Sequence, residues 1–211
     1  MPRYKLAIFD FDGTLADSFP WFIGAVNDAA ARFGFRGVAE HEVDTLRGYD
    51  NGALMRHAGL PMWKVPLVAR HMRRLQAESI DAIRLFPGIE ETLRDLGQAG
   101  VRLAVVSSNS RANVVRVLGP EGSARIDHFG CGASLLGKEA RFKAVLNRSG
   151  TAPEHAIAIG DEIRDIEAAE GAGLAAGAVG WGYAHFGTLR ARGPAEAFAT
   201  VAEMRERLLG D

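Results

Sequence analysis

Short apolar runs recur along the chain and alternate with helical patterns from about residue 85 onward. Apolar runs of about four to eight residues, bounded by turn residues, are typical of buried strands. We predict five such strands, at residues 6–9, 103–106, 129–133, 156–159 and 175–179. Because continuous apolar strands alternate with helices, the pattern predicts an α/β fold in which helices cover both faces of a parallel sheet.

Helical patterns fill the intervals between these strands. We predict helices at residues 89–99, 112–118, 142–148 and 163–172, with a last helix at 201–209. Gly100, Gly150 and Gly173 follow three of them, and glycine is a common residue just past the end of a helix. The pattern therefore predicts repeated strand–helix units in the second half of the chain.

Residues 16–83 do not show this alternation of strands and helices. They contain no convincing strand, and their pattern predicts helices. Ser18 is a candidate N-cap, Pro20 falls in the first turn of that helix, and Gly34 marks its end. Further helices are predicted at three places, which are residues 40–46, 51–58 and 65–79.

A helical insert directly after the first strand would lie above the carboxyl end of that strand. Ligands of open α/β sheets bind at this edge. We therefore predict a core of residues 1–15 and 84–211, and a helical cap of residues 16–83 that acts as a lid.

Two carboxylates, Asp10 and Asp12, follow the first strand at once. On an extended backbone, residues i and i+2 point the same way, so both side chains would enter one small space. Two such anions repel each other and take up protons unless a cation holds them. The pair predicts a metal site, a catalytic site, or both.

The sequence Asp-Phe-Asp-Gly-Thr-Leu at residues 10–15 resembles the first motif of the haloacid dehalogenase superfamily, in its phosphatase branch. Three further motifs follow in the family's order, and the resemblance covers most of the chain. It implies a Rossmann-like core with an inserted helical cap. It also implies a Mg²⁺-dependent phosphatase that hydrolyses a small phosphorylated metabolite, similar to phosphoglycolate phosphatases.

The resemblance assigns roles to the residues that match the motifs. Asp10 would be the nucleophile that takes the phosphoryl group as an aspartyl-phosphate. Asp12 would give a proton to the leaving alcohol and then activate water. Ser107, at the end of the second strand, would hydrogen-bond the phosphoryl oxygens, with Asn109 as a second donor.

A lysine is expected to neutralise the nucleophile and the phosphate, and Lys138 and Lys143 compete for this role. They lie five residues apart and face different directions on a helix, so only one can reach the site. The spacing from Lys138 to Asp161 matches the family better, although the family's usual Lys-Pro pair is absent.

Gly160-Asp161, followed by Asp165, resembles the fourth motif. On a helix these two aspartates share one face. Four carboxylates in one crevice need a divalent cation, and oxygen ligands suit Mg²⁺. By resemblance, Asp10, Asp161 and the backbone carbonyl of Asp12 would bind it, with Asp165 nearby.

Arg47 lies where related caps carry a substrate-reading loop, which makes it the candidate for substrate specificity. Two alternatives remain open. A phosphomutase would keep the aspartyl-phosphate and return the phosphoryl group to substrate, and a catalytically silent protein would bind ligand only.

The composition limits the classes of binding partner that we expect for this protein. The formal net charge of −1 gives no global attraction to nucleic acid or to an anionic membrane. No apolar run reaches the roughly 18 residues that span a bilayer, and the N-terminus runs straight into the first strand without a signal peptide. The single cysteine, Cys131, excludes an internal disulfide. We expect a cytoplasmic protein whose partner is a small molecule, while the oligomeric state stays open.

Overall fold

A computed structural model describes residues 2–49, 51–132 and 137–210. The main sheet has six parallel strands in the order β5-β4-β1-β6-β7-β8. The strands in chain order are β1 Leu6–Phe9, β2 Ala16–Asp17, β3 Arg84–Leu85, β4 Arg102–Ser107, β5 His128–Cys131, β6 Ala156–Gly160, β7 Ala175–Val179 and β8 Glu196–Phe198. The helices are α1 Phe19–Phe33, α2 Val43–Arg47, α3 Asn51–Ala58, α4 Val65–Glu78, α5 Ile89–Gln98, α6 Arg111–Ala124, α7 Gly137–Ser149, α8 Ile163–Gly171, α9 Phe186–Arg190 and α10 Val201–Leu209.

Side chains of β1 alternate between two hydrophobic clusters because successive residues of a strand point to opposite faces. Ala7 and Phe9 join the cluster that packs against α5, α6 and α10. Leu6 and Ile8 join the one that packs against α7, α8 and α9. Every side chain of β1 is therefore buried. The prediction of a parallel sheet with helices on both faces is confirmed.

The apolar runs mark five of the strands to within two residues at either end, although position 133 of the predicted strand 129–133 lies outside the described residues. The first cap helix is also confirmed, because α1 follows Ser18 and ends before Gly34, which takes a left-handed φ of 65°. The prediction that residues 16–83 hold no strand is wrong at its start. There, β2 pairs in antiparallel fashion with β3, Ala16 opposite Leu85. Sequence reasoning also missed β8 and α9.

The helices α1 to α4 lie in sequence between β2 and β3, so the chain leaves and re-enters the sheet region through one short ribbon. This layout is compatible with a cap of residues 16–83, and the exact division remains a prediction. Among the described residues, no helix combines the length and the apolarity that crossing a membrane requires.

Candidate active site

Three aspartates meet at the carboxyl end of the sheet. Asp10 follows β1, Asp161 follows β6, and Asp165 lies in the first turn of α8. Each offers a carboxylate oxygen, and these oxygens all lie within 4.8 Å of one another. The three residues are buried. Because β1 and β6 are hydrogen-bonded neighbours, their ends bring Asp10 and Asp161 together.

Burial of charged carboxylates costs free energy, and it raises the pKa values of Asp10 and Asp161. Desolvation raises the pKa of Asp10, while the charge of Lys138 works in the opposite direction. For Asp161, burial and the nearby anions Glu162, Asp165 and Asp10 hold the pKa well above its usual range. The cluster therefore favours any cation that can approach it.

Lys138 is the cation beside the cluster. Its Nζ lies 3.0 Å from Asp10 Oδ2 and 2.5 Å from Asp165 Oδ1. Burial alone would lower the pKa of Lys138, but the two carboxylates outweigh it and raise the pKa above its ordinary value. Lys143 instead pairs with Glu139 on an exposed face, at 2.5 Å. The geometry therefore brings Lys138 to the site and leaves Lys143 outside it.

The carboxylates fit a divalent metal ion. Three anionic groups face one lysine, so negative charge remains, and oxygen is the ligand atom that Mg²⁺ prefers. Thr14 Oγ1 donates to Asp161 Oδ1 and the backbone N–H of Tyr183 donates to Asp161 Oδ2, both at 2.8 Å. These bonds fix the direction of the Asp161 carboxylate.

Gly13 lets the loop after β1 pass close to this carboxylate. Its φ is 80°, and a Cβ at this position would collide with the Asp161 side chain. A larger residue here would be strained and would displace Asp161.

Asp165 has a supporting position. Its Oδ2 accepts the backbone N–H groups of Asp161 at 3.1 Å and Glu162 at 3.0 Å. Its Oδ1 accepts from Lys138. Asp165 thus orders the turn that carries Asp161 and also helps to place the lysine.

Asp12 lies apart from the carboxylate cluster. Its Oδ1 accepts a hydrogen bond from Gln76 Nε2 at 2.7 Å, and its Oδ2 accepts one from Asn109 Nδ2 at 3.1 Å. Burial, followed by the charge of Asp10, raises the pKa of Asp12 to about 6. A carboxyl with such a pKa exchanges its proton readily near neutral pH.

Ser107 ends β4, which is hydrogen-bonded to β1, and it is 1% exposed. Its Oγ accepts the backbone N–H of Asn109 at 3.1 Å. Asn109 in turn is held by Asn113, which donates to Asn109 Oδ1 at 2.9 Å. Asn109 therefore contacts Asp12 here, and its contact with a phosphoryl group remains a prediction.

Arg47, the last residue of α2, joins this helix to the loop after β7. Its Nε donates to the carbonyl of Tyr183 at 3.0 Å and its Nη2 to the carbonyl of Gly182 at 2.8 Å. Its guanidinium also lies over the ring of Phe19 at 5.5 Å. Contact between Arg47 and substrate remains a prediction.

Sequence reasoning missed several side chains of the site. Thr14 stands inside the first motif, so its hydroxyl was available as a signal. Tyr183 lies in a glycine-rich loop. The centroid of its ring is 5.1 Å from the ring centroids of both Phe19 and Phe22. Gln76 gave no signal, because a single glutamine on an amphipathic helix matches no motif.

The family assignment rests on sequence as well as geometry. The sequence model of the haloacid dehalogenase-like hydrolase family matches residues 7–179. The chain belongs to this family. The matched region contains the three clustered aspartates and Lys138, and the protein is therefore a hydrolase of the haloacid dehalogenase type.

Individual relatives carry more specific names. A phosphoglycolate phosphatase of Synechococcus elongatus is 34% identical over 83% of this chain and 84% of its own length. The crystal structure of a predicted phosphoglycolate phosphatase from Haemophilus somnus is 26% identical, covers 97% of both chains and has a TM-score of 0.76. The tyrosine-protein kinase PtkA of Mycobacterium bovis is 30% identical over 97% of this chain and 72% of its own length.

Proposed function

We propose that this hydrolase is a Mg²⁺-dependent phosphatase that removes the phosphoryl group from a small phosphorylated metabolite through an aspartyl-phosphate at Asp10. The observation that carries the proposal is the contrast between two neighbouring carboxylates. Asp10 lies in the anionic cluster, 3.0 Å from Lys138, while Asp12 is bound by two amides and has a pKa of about 6. Paired carboxylates in unlike surroundings are typical of a nucleophile and its proton-transfer partner.

In the first step, an oxygen of Asp10 attacks phosphorus and the bond from phosphorus to the ester oxygen breaks. The protonated carboxyl of Asp12 gives its proton to that oxygen, so the alcohol leaves neutral. Lys138 balances charge on the phosphoryl group, and Ser107 donates to one of its oxygens. Gln76 and Asn109 keep the Asp12 carboxyl directed toward the leaving group.

In the second step, the Asp12 carboxylate takes a proton from water, whose oxygen attacks phosphorus. The bond from phosphorus to the Asp10 oxygen breaks, which releases inorganic phosphate and restores both aspartates. Asp12 thus acts first as an acid and then as a base, and a pKa near 6 permits both roles at neutral pH.

Asp10, Asp161 and the backbone carbonyl of Asp12 would hold Mg²⁺, with Asp165 supporting the site through Lys138 and through the backbone N–H groups of Asp161 and Glu162. When bound, the ion supplies positive charge that screens the phosphoryl oxygens from the carboxylates. Glu162 belongs to the surrounding charge network, since its Oε1 accepts from Arg164.

The names of the relatives make 2-phosphoglycolate the first substrate to test. The proposal includes no nucleic acid and no membrane partner, because a charge of −1 gives no attraction to either.

The test is phosphate release by the purified protein from a panel of phosphorylated metabolites. We expect Mg²⁺-dependent release that stops on chelation and is lost in Asp10→Asn. Release that survives both chelation and Asp10→Asn would contradict the proposal.

A second fate of the phosphoryl group is transfer to a hydroxyl acceptor in place of water, as in a phosphomutase. The relative named as a tyrosine-protein kinase is the observation that keeps this alternative open. We expect inorganic phosphate, and no labelled acceptor, when a labelled substrate is mixed with sugar phosphates or with a tyrosine peptide. Binding of phosphate esters without any turnover would instead indicate a catalytically silent protein.

A further inference from the structure

We propose that Arg164 is a specificity-determining residue that binds an anionic group on the leaving-group side of the substrate. This inference rests on the proposed phosphatase function, because it requires a phosphoryl group bound at Asp10. It names a class of substrate, phosphate esters whose alcohol carries a carboxylate or another anion. It also names the side chain that recognises that anion.

Two cavities meet at Arg164. The first, about 510 Å³, is lined by Asp10, Ser108, Lys138 and Arg141 and is here called the nucleophile cavity. The second, about 550 Å³, lies between cap and core and is here called the cap cavity. Its apolar lining includes Phe19, Phe22, Leu46 and Leu54. Arg164 and Glu167 line both cavities. The inference places the phosphoryl group against Asp10 and the anionic end of the alcohol beside Arg164, at the boundary of the two cavities.

Other cations in the walls of these cavities are already engaged. The Arg47 guanidinium donates to two backbone carbonyls of the loop after β7. Arg141 donates to the carbonyls of Ser107 and Gly132. Lys138 is held between Asp10 and Asp165. Each of these three side chains makes at least two contacts with the protein, and these contacts hold the walls in place.

Arg164 has donors left over. Among the described residues, its hydrogen bond goes from Nη2 to Glu162 Oε1, whereas a guanidinium carries five N–H donors. Its side chain is half exposed, at 50%, so a ligand can reach it. The single contact with Glu162 orients the planar group and leaves a pair of N–H donors for a second carboxylate, which arginine binds in a forked geometry.

Arg164 and Asp10 line the same cavity, so the positive charge of Arg164 lies on the side of the reacting group. Glu167, the anion that shares both walls, is 3.8 Å from Arg192 and is partly neutralised by it. The boundary between the two cavities thus presents a positive group to a short anionic ester.

The test compares two esters of equal length, 2-phosphoglycolate and 2-hydroxyethyl phosphate, which differ in the carboxylate. We measure kcat/KM for both with the wild type, Arg164→Met and Arg164→Lys. Arg190→Met is the matched control, because it removes the same charge at an exposed position that lines neither cavity. The expected result is a preference of the wild type for 2-phosphoglycolate. In Arg164→Met this preference falls about tenfold to a hundredfold through a higher KM, as for the loss of a charge-assisted hydrogen bond.

Arg164→Lys should retain part of the preference, since it keeps the charge and loses the fork. Arg190→Met should retain the wild-type preference. Equal losses for both esters in Arg164→Met would show a structural role and overturn the inference, as would an equal loss of preference in Arg190→Met. A wild type that hydrolyses p-nitrophenyl phosphate but does not prefer 2-phosphoglycolate would overturn the inference alone. Absence of phosphate release from any ester would overturn the proposed function as well.

Discussion

Asp10 and Asp12 lie two residues apart, yet their carboxylates have different neighbours. Asp10 contacts Lys138 and belongs to the aspartate cluster, while Asp12 contacts the amides of Gln76 and Asn109. Burial and the charge of Asp10 raise the pKa of Asp12 and the two amides offset this only in part, whereas the charge of Lys138 favours the Asp10 anion. The surroundings of each side chain, more than its identity, separate the proposed roles.

Lys138→Ala should lower kcat/KM at least about a hundredfold, because the charge facing the phosphoryl group is lost. Lys143→Ala is the matched control on the same helix, and we expect it to change kcat/KM less than about twofold, since its partner is the exposed Glu139. Steady-state kinetics of both variants provide the measurement. A larger loss in Lys143→Ala than in Lys138→Ala would reverse the assignment.

Gln76→Leu removes the hydrogen bond to Asp12 Oδ1 at 2.7 Å. We expect kcat to fall about tenfold with little change in KM, because Asp12 transfers a proton in the transition state and does not hold the ground-state ester. Arg73→Ala, an exposed position on the same helix, serves as the control. A change of KM at constant kcat would show that Gln76 binds substrate and does not position Asp12.

The site residues that sequence predicted are those with a fixed spacing to a strand end. The pair Asp10 and Asp12 follows a buried run, and Asp161 follows another, so topology brings Asp10 and Asp161 together. Gln76 belongs to α4, 64 residues away in sequence from Asp12. Its contact depends on how α4 is placed relative to the end of β1, and no local pattern encodes that placement.

At the scale of elements, α2 contacts the loop after β7 around Arg47. Besides the two bonds from the Arg47 side chain, the backbone N–H of His185 donates to the Arg47 carbonyl at 3.1 Å. The Tyr183 hydroxyl lies 2.9 Å from Ser18 Oγ, next to the start of α1. The loop after β7 therefore contacts α2 and the start of α1, and the backbone N–H of its Tyr183 donates to Asp161.

Arg47→Met should lower the free energy of unfolding by about 1–3 kcal/mol, because two part-buried carbonyls lose a charged donor. Urea denaturation measures this loss, with the exposed Arg36→Met as control. An unchanged stability together with a substrate-dependent rise in KM would instead support the prediction that Arg47 contacts substrate.

Short, continuous apolar runs were sufficient to predict most of the main sheet, since a strand buried on both faces has little freedom in composition. The strands β2 and β3 have two residues each, too few for any alternation to be visible. They form because the chain must leave and re-enter the sheet region at one point. β8, with the sequence Glu-Ala-Phe, carries one large apolar residue and forms by pairing with β7.

At the scale of the whole molecule, binding of Mg²⁺ should stabilise the fold. The ion would relieve repulsion among buried carboxylates that come from separate parts of the chain, with oxygens within 4.8 Å. At about a hundred times its dissociation constant, a ligand adds about 2.7 kcal/mol, which for this chain length corresponds to a rise in Tm of about 5–10 °C.

Thermal unfolding with and without Mg²⁺ measures this rise. Asp161→Asn should lose most of it, whereas Asp95→Asn, which alters a partly buried carboxylate paired with Arg94 and Arg205 away from the cluster, should keep it. A rise of equal size in both variants would place the ion elsewhere.

The most direct test of the central claim is chemical identification of the phosphorylated residue. The protein is mixed with substrate and Mg²⁺, quenched in acid and reduced with borohydride, which converts an aspartyl-phosphate to homoserine. Peptide mass spectrometry then locates the product. The account predicts homoserine at position 10 in the wild type and none in Asp10→Asn. Phosphate release by the wild type with no reduction product at position 10, or with one at another aspartate, would contradict it.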